Sequence, residues 1–153
     1  MKLPPKEEVV IAGAGGYPRD LNLYQSVKAL VNGARLVRPG GTIVLIGECK
    51  EGMGEPLFKD WMFRSRTAEE LVKTFKQKGF ILGGHKAYVL CQELKNKEVI
   101  LISEIAKSRK QVPLLKNAID WEDARSMLEK KHGCHFRALL LPFAGLVFPL
   151  ENN

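Results

Sequence analysis

The sequence predicts an α/β fold, in which a mainly parallel β-sheet lies between two layers of helices. Short runs of apolar, β-branched residues alternate along the chain with longer segments whose apolar residues recur at helical spacing. Each of the first two apolar runs also ends in a glycine-rich loop, as strands often do where they leave a parallel sheet. We therefore expect a three-layer, Rossmann-like sandwich, formed by a single domain over residues 1–153.

The first half of the chain supplies a strand–helix–strand unit. Residues 9–12 form a wholly apolar run after a charged lead-in, and this run predicts the first strand. Apolar residues recur every three or four positions over residues 21–37, which predicts an amphipathic helix. The Pro-Gly-Gly sequence at 39–41 ends this helix, and the β-branched run at 42–46 predicts the second strand.

The second half continues the alternation with further helices and strands. Thr67 and Glu70 form a capping box, and Asp120 is a favourable N-cap residue. The predicted elements are helices at 56–63, 67–78 and 85–96, a strand at 99–103, a helix at 121–131 and a strand at 137–141. A basic stretch at 107–110 is predicted to be a solvent-exposed loop, and residues 145–149 are expected to extend or follow the last strand.

The charge and composition limit the classes of partner. The net charge of +7 arises from 24 Lys and Arg residues against 17 Asp and Glu residues, which are scattered along the chain. Such a surface favours anionic partners, but the sequence has neither zinc-finger spacing nor the aromatic-basic pattern of an RNA-binding sheet, and it does not favour nucleic acid. No apolar run approaches the roughly 20 residues of a membrane helix, and the first residues lack the apolar segment of a signal peptide. We therefore expect a cytoplasmic protein without a membrane partner.

The cysteines and histidines do not predict a metal site or a disulfide framework. Three widely spaced cysteines are an odd number, which argues against paired disulfides. Cys49 lies in the second glycine-rich loop, where it could be a reactive thiol or a small buried residue. His132, Cys134 and His135 have a metal-like spacing, but Gly133 between them is the residue expected after a helix end, and no further ligand pair accompanies them.

The first glycine-rich turn is a candidate nucleotide site. It departs from the dinucleotide pattern, because Pro18 stands where the last glycine is expected. A nucleotide-binding module would use Gly13, Gly15 and Gly16 with the unpaired N–H groups of the following helix, and Glu48 would bind the ribose. The alternative is a tight strand-to-helix turn that binds no ligand.

The helix after this turn carries a second candidate site. At about 100° per residue, Tyr24, Gln25 and Lys28 share a sector roughly 100° wide that lies away from the core stripe. The lysine could neutralise a carboxylate or a phosphate, while the amide could fix its orientation. Two other interpretations remain open. This face could be solvated, with Gln25 completing a capping box on Asn22, or the Tyr24 face could dock another protein.

His85 is a further candidate on a different helix. It follows two glycines at a predicted helix start, where an imidazole can face a ligand. A lone histidine in this position could equally be a structural residue, and the sequence alone does not decide between these roles.

Three segments of the chain carry a resemblance to a known family. AGGYPRDLNLYQSVKAL, VRPGGTIVLIGECKEGMG and GGHKAY, with the chain between residue 9 and about residue 149, resemble the C-terminal domain of nickel-pincer lactate racemases. The resemblance implies an isomerase that racemises or epimerises a small 2-hydroxy acid such as lactate. It also implies a nickel pincer nucleotide (the nickel complex of pyridinium-3,5-bisthiocarboxylic acid mononucleotide), whose ring accepts a hydride from the substrate carbon and returns it to the opposite face.

The resemblance also assigns roles to residues of this chain. It implies that Lys28 holds the substrate carboxylate and that Tyr24 and Gln25 line the pocket between substrate and cofactor. His85 matches a helix start where the family carries an aromatic residue or a histidine. The turn beside this face adds Gly15 and Gly16 to the expected binding residues.

One departure from the family is large. The paired catalytic histidines, the lysine that attaches the cofactor and the nickel-binding histidine belong to an N-terminal domain, which has no counterpart in this sequence. We therefore expect the chain to provide no catalytic residues and no metal ligands of its own. It should be inactive in isolation and should act with an N-terminal racemase domain, in cis or in trans.

Overall fold

Five strands form one sheet within residues 5–108 and 111–147, the part of the chain that the computed structural model describes. In chain order they are β1 (Glu7–Gly13), β2 (Val37–Ile46), β3 (Glu98–Ile102), β4 (Lys116–Ala118) and β5 (Ala138–Leu141). Their order across the sheet is β4–β3–β2–β1–β5, and every neighbouring pair is parallel. The predicted parallel sheet is confirmed.

Helices cover both faces of this sheet. They are α1 (Leu23–Ala34), α2 (Pro56–Arg64), α3 (Ala68–Lys78), α4 (Gly84–Leu94), α5 (Glu104–Lys107) and α6 (Trp121–His132), and a 3₁₀ turn follows β5 at Ala144–Leu146. A large core lies between the sheet and α1–α4, whereas a smaller core packs α6 against the opposite face. This arrangement confirms the predicted three-layer sandwich.

The central strands are apolar on both sides because both sides are covered. Along β2, Ile43 and Leu45 enter the large core, while Val44 between them enters the small one. Side chains alternate along a strand, so a strand between two helical layers needs apolar residues at successive positions. The continuous apolar runs in the sequence have this origin.

The strand order places a crevice at one edge of the sheet. The chain moves outward from β1 through β2 and β3 to β4, and then returns to β5 on the other side of β1. The carboxyl ends of β1 and β5 therefore border the point where the topology reverses, which is where open α/β sheets bind ligands. The 3₁₀ turn after β5 lies against α1, and Asn32 Nδ2 donates a 2.9 Å hydrogen bond to the carbonyl of Ala144.

The boundary between α1 and β2 differs from the prediction. α1 ends at Ala34 rather than at residue 37, and β2 begins at Val37. The register between β1 and β2 shifts near its start, from Glu7 opposite Val37 to Val9 opposite Thr42. In this bulge the main chain passes so close to β1 that a Cβ atom on Gly41 would lie 2.6 Å from the carbonyl oxygen of Glu8. The glycine is thus required by a bulge inside β2 and not by a turn before it.

The short elements β4 and α5 were not predicted, and neither was the 3₁₀ turn at Ala144–Leu146. β4 contains only one buried residue, Ala118, so it lacks the apolar run that marks a strand. Part of the expected basic loop is instead the end of α5, which includes Lys107. Residues 109–110 of that loop and residues 148–149 of the expected final extension lie outside the described residues. Of the helices in the described ranges, none has the length and apolar character of a transmembrane segment.

Candidate functional site

The two glycine-rich loops are joined to each other by hydrogen bonds. The first loop (residues 14–22) follows β1, and the second loop (residues 47–54) follows β2. The carbonyl of Asp20 accepts from the N–H of Cys49 at 2.8 Å, and that of Leu21 accepts from the N–H of Glu51 at 2.9 Å. The buried carboxylate of Asp20 also accepts from the N–H of Glu48 at 3.0 Å. The expectation that both loops lie at the same edge of the sheet is confirmed.

Carbonyl groups of the second loop also accept hydrogen bonds from the N-terminus of α1. The N–H of Leu23 donates to the carbonyl of Gly52 at 2.9 Å, and the N–H of Tyr24 donates to that of Met53 at 3.2 Å. The N–H of Gln25 donates to the side chain of Asn22 at 2.9 Å, which forms one half of the proposed capping box. The N–H groups that would bind an anion are therefore already paired. The expected open helix terminus was wrong, and the geometry does not favour a nucleotide-binding module.

Gly15 and Gly16 determine the course of the first loop. Both have positive φ angles, 97° and 72°, which favour glycine. The carbonyl of Gly16 accepts from the N–H of Arg19 at 2.8 Å. A Cβ atom on Gly15 would lie 3.3 Å from both Arg19 and Phe143, so the turn packs closely against the segment after β5.

A small crevice lies where the carboxyl ends of β1 and β5 meet α1. Its volume is ≈ 120 Å³. It is lined by Ala14, Arg19, Gln25, Lys28, Ala29, Gly145 and Leu146.

Pockets for drug-sized ligands have roughly 300–1,000 Å³. The crevice therefore has room for a ligand of a few non-hydrogen atoms and not for a dinucleotide. It brings Gln25 and Lys28 together, as predicted, and adds Arg19, which the sequence did not single out although it lies in the matched Pro-Arg-Asp turn.

Tyr24 lies on the flank of α1 that faces α2 and α4. It is half-buried, and its ring meets Phe58 of α2 edge-on, with the centroids 5.6 Å apart at 73°. Lys86 of α4 places its Nζ atom 3.9 Å from the centroid of the Tyr24 ring and donates a 3.0 Å hydrogen bond to the Tyr24 carbonyl. The expectation that Tyr24 points away from the core was wrong in this respect, because α2 and α4 cover that flank of α1.

Lys86 adds a second cation beside the predicted residues. Burial lowers the pKa of Lys86, and the positive charge of Lys28 lowers it further. Its hydrogen bond to the Tyr24 carbonyl places Lys86 one helical turn from Lys28. Sequence reasoning missed Lys86, although it follows His85 directly in the GGHKAY segment.

His85 lies at the start of α4, where it was expected. It is half-buried, its ring centroid is 5.2 Å from that of Phe80, and its Nδ1 atom has no hydrogen-bond partner among the described residues.

The two glycines before His85 allow α4 to pack on α2. A Cβ atom on Gly83 would overlap the carboxylate of Glu55, and one on Gly84 would lie 2.6 Å from the Trp61 ring.

Cys49 behaves as a small buried residue. Its side chain is buried, and its Sγ atom lies 3.7 Å from the hydroxyl of Ser26. Burial raises the pKa of the Cys49 thiol to about 11, and Asp20 contributes in the same direction. Because the thiolate is the reactive form, this environment does not favour a nucleophile.

His132 has a structural role. Its Nε2 atom lies 2.8 Å from the hydroxyl of Thr42 on β2, and its side chain is 5% exposed. Cys134, by contrast, is exposed. Over residues 5–108 and 111–147, no group of three or more His, Cys, Asp or Glu side chains is arranged to hold a metal ion.

Fold and site together define a Rossmann-like α/β domain with a small cationic crevice at its topological switch point. The family model described as the lactate racemase C-terminal domain matches residues 4–142. The chain therefore belongs to the lactate racemase C-terminal domain family.

Individual relatives agree with this assignment. The chain is 31% identical over 100 residues to a lactate racemase from Thermoanaerobacterium thermosaccharolyticum, an alignment that covers 63% of this chain and 24% of the relative. It is 36% identical over 47 residues to a lactate racemase from Lactiplantibacillus plantarum, covering 31% of this chain and 11% of the relative. The solved structure of the lactate racemase apoprotein from T. thermosaccharolyticum superimposes with a TM-score of 0.85 at 26% identity, covering 96% of this chain and 36% of that one. The chain thus spans about a third or less of these relatives.

The buried carboxylate of Asp20 should make a measurable contribution to stability. Asp20→Ala removes the acceptor for the N–H of Glu48 and leaves that group unpaired, which we expect to lower the free energy of unfolding by about 1–3 kcal/mol. Asp20→Asn retains an oxygen acceptor and should lose less. Urea denaturation of both variants checks this, and equal stability of Asp20→Ala and the wild type would contradict it.

The environment of His132 predicts a pH dependence of stability. Burial lowers the pKa of His132 in the folded chain, and Lys131 adds to this effect. As the pH decreases through the unfolded pKa of about 6.5, the unfolded state therefore takes up a proton more readily than the folded state. The stability of the folded chain decreases as the pH is lowered. His132→Gln should lose less stability than the wild type between pH 7.5 and 5.5 in urea titrations. His135→Gln, which changes an exposed histidine, is the control, and an unchanged slope in His132→Gln would refute the expectation.

Proposed function

We propose that this chain is the substrate-side domain of a nickel-pincer-dependent racemase or epimerase that acts on a small 2-hydroxy acid of the lactate type. The observation that carries the proposal is the crevice at the switch point, which gathers Lys28, Gln25 and Arg19 around ≈ 120 Å³. This combination of size and charge suits a small carboxylate. Membership of the lactate racemase C-terminal domain family supports the same assignment.

In this proposal the residues of α1 bind and orient the substrate. Lys28 neutralises the carboxylate as a point charge, and the Gln25 amide fixes its orientation. Tyr24 provides an aromatic wall, since its ring is held between Phe58 and Lys86. His85, whose Nδ1 atom has no recorded partner among the described residues, is available to line the substrate side of the site.

The nickel pincer nucleotide would be held mainly by another domain. The donors that converge on the crevice are an amide and two cationic groups, which suit carboxylates and phosphates but are not nickel ligands. We therefore assign the metal and most of the cofactor to an N-terminal racemase domain, in cis or in trans. The cofactor, when bound, supplies the acceptor for the substrate hydride. The isolated chain would consequently be inactive.

Exposed apolar side chains near the crevice support such a partner. Leu146, which lines the crevice, is 52% exposed, and Tyr17 of the first loop, two residues before the lining residue Arg19, is 79% exposed. Exposed apolar groups beside a binding crevice are typical of an interaction surface. An N-terminal domain that covers them would also close the crevice from water.

Replacing Lys28 tests the proposed carboxylate contact. In the two-domain protein, Lys28→Ala should lower kcat/KM for lactate racemisation at least tenfold, because a charged hydrogen bond contributes about 1.5–3 kcal/mol. The measurement is the interconversion of D- and L-lactate followed by chiral chromatography. Lys76→Ala, which removes an exposed lysine from α3, is the control for loss of one charge. Wild-type kinetics in Lys28→Ala would rule out this role for Lys28.

A further inference from the structure

Lys86 links two helices at the face that carries the proposed substrate residues. It lies in the first turn of α4, is half-buried, and donates to the main-chain carbonyl of Tyr24 in the first turn of α1. A helical carbonyl has a second lone pair, so it can accept this bond in addition to its bond within the helix. Lys86 thereby fixes where α4 meets α1.

The same ammonium group holds the Tyr24 ring. Its Nζ atom is 3.9 Å from the ring centroid, well within the roughly 6 Å over which cation–π attraction acts. Phe58 contacts the ring edge-on. With a cation on one side and an aromatic ring on another, the Tyr24 side chain has little freedom to leave its position beside Lys28.

Lys86 also carries charge into this neighbourhood. The Tyr24 carbonyl that accepts from Lys86 lies one helical turn before Lys28, which brings the two cations to the same helix face. Burial lowers the pKa of Lys86, and the charge of Lys28 acts in the same direction. An anion bound at Lys28 would relieve this repulsion. A carboxylate should therefore gain more from the site than a neutral analogue of the same shape.

We propose that Lys86 is a positioning residue of the substrate site, which fixes the Tyr24 ring and adds a second positive charge beside Lys28. This inference rests on the proposed function, because it deepens the role assigned there to Tyr24 and Lys28. Lys86 acts through these two residues and is not required to touch the substrate.

The coupling between the two lysines can be measured on the chain without substrate or cofactor. In NMR titrations of the lysine side chains, Lys28→Met should move the titration of Lys86 to higher pH, because it removes the neighbouring charge. Lys95→Met, which changes an exposed lysine just after α4, should leave the titration of Lys86 in place. If the Lys86 titration in Lys28→Met is the same as in the wild type, the proposed charge coupling is overturned.

The positioning role is tested by kinetics in the two-domain protein. Lys86→Met keeps the apolar stem but removes the cation, and we expect kcat/KM for lactate to fall on the order of tenfold. Lys86→Arg should restore most of this loss, whereas Lys95→Met should match the wild type. A purely structural link would lower the Tm of Lys86→Met but leave the kinetics of the folded enzyme unchanged, and that result would overturn the proposal.

The two proposals can fail separately. If Lys28→Ala abolishes activity while Lys86→Met has wild-type kinetics, only the positioning role is refuted. If Lys28→Ala has wild-type kinetics, the proposed function of Lys28 fails, and the positioning role fails with it even where the NMR titration shows that the two lysines interact.

Discussion

The pairing of the first and second loops is the constraint on which the site depends. Main-chain hydrogen bonds and the Asp20 carboxylate connect the loop after β1 to the loop after β2. The close packing also restricts side chains, since a Cβ atom on Gly54 would lie 2.6 Å from Asn22, the N-cap residue of α1. The start of α1 is therefore fixed by both strands. The main chain of its first turn takes its position from this junction.

Because of this junction, the positive charge at the site comes from side chains and not from the N-terminus of α1. In a dinucleotide-binding turn, the N–H groups of the helix terminus face the phosphates. Here two of those N–H groups already donate to the carbonyls of Gly52 and Met53, so the helix terminus contributes little to anion binding. The cations are instead the side chains of Lys28, Arg19 and Lys86. The arrangement suits a small carboxylate better than a pyrophosphate.

The sequence predicted the sheet and most of the helices, because a parallel sheet between helices requires apolar residues at successive strand positions. It did not predict β4, where only Ala118 is buried, or the bulge that places Gly41 against β1. Both features depend on contacts with distant parts of the chain. The same limit applies to the site. A helical wheel describes one helix, so it grouped Tyr24 with Lys28 but could not show that α2 and α4 enclose Tyr24.

The open crevice explains why the proposed carboxylate contact needs a covering domain. Gln25 and Lys28 are both exposed in this chain, and charges that face water interact weakly because the solvent screens them. A domain seated on the neighbouring apolar side chains would exclude that water. The attraction between Lys28 and a bound carboxylate would then strengthen without any change in geometry. Under the proposed function, the cationic face and the exposed apolar residues would act together, and a carboxylate would bind strongly only when a covering domain closes the site.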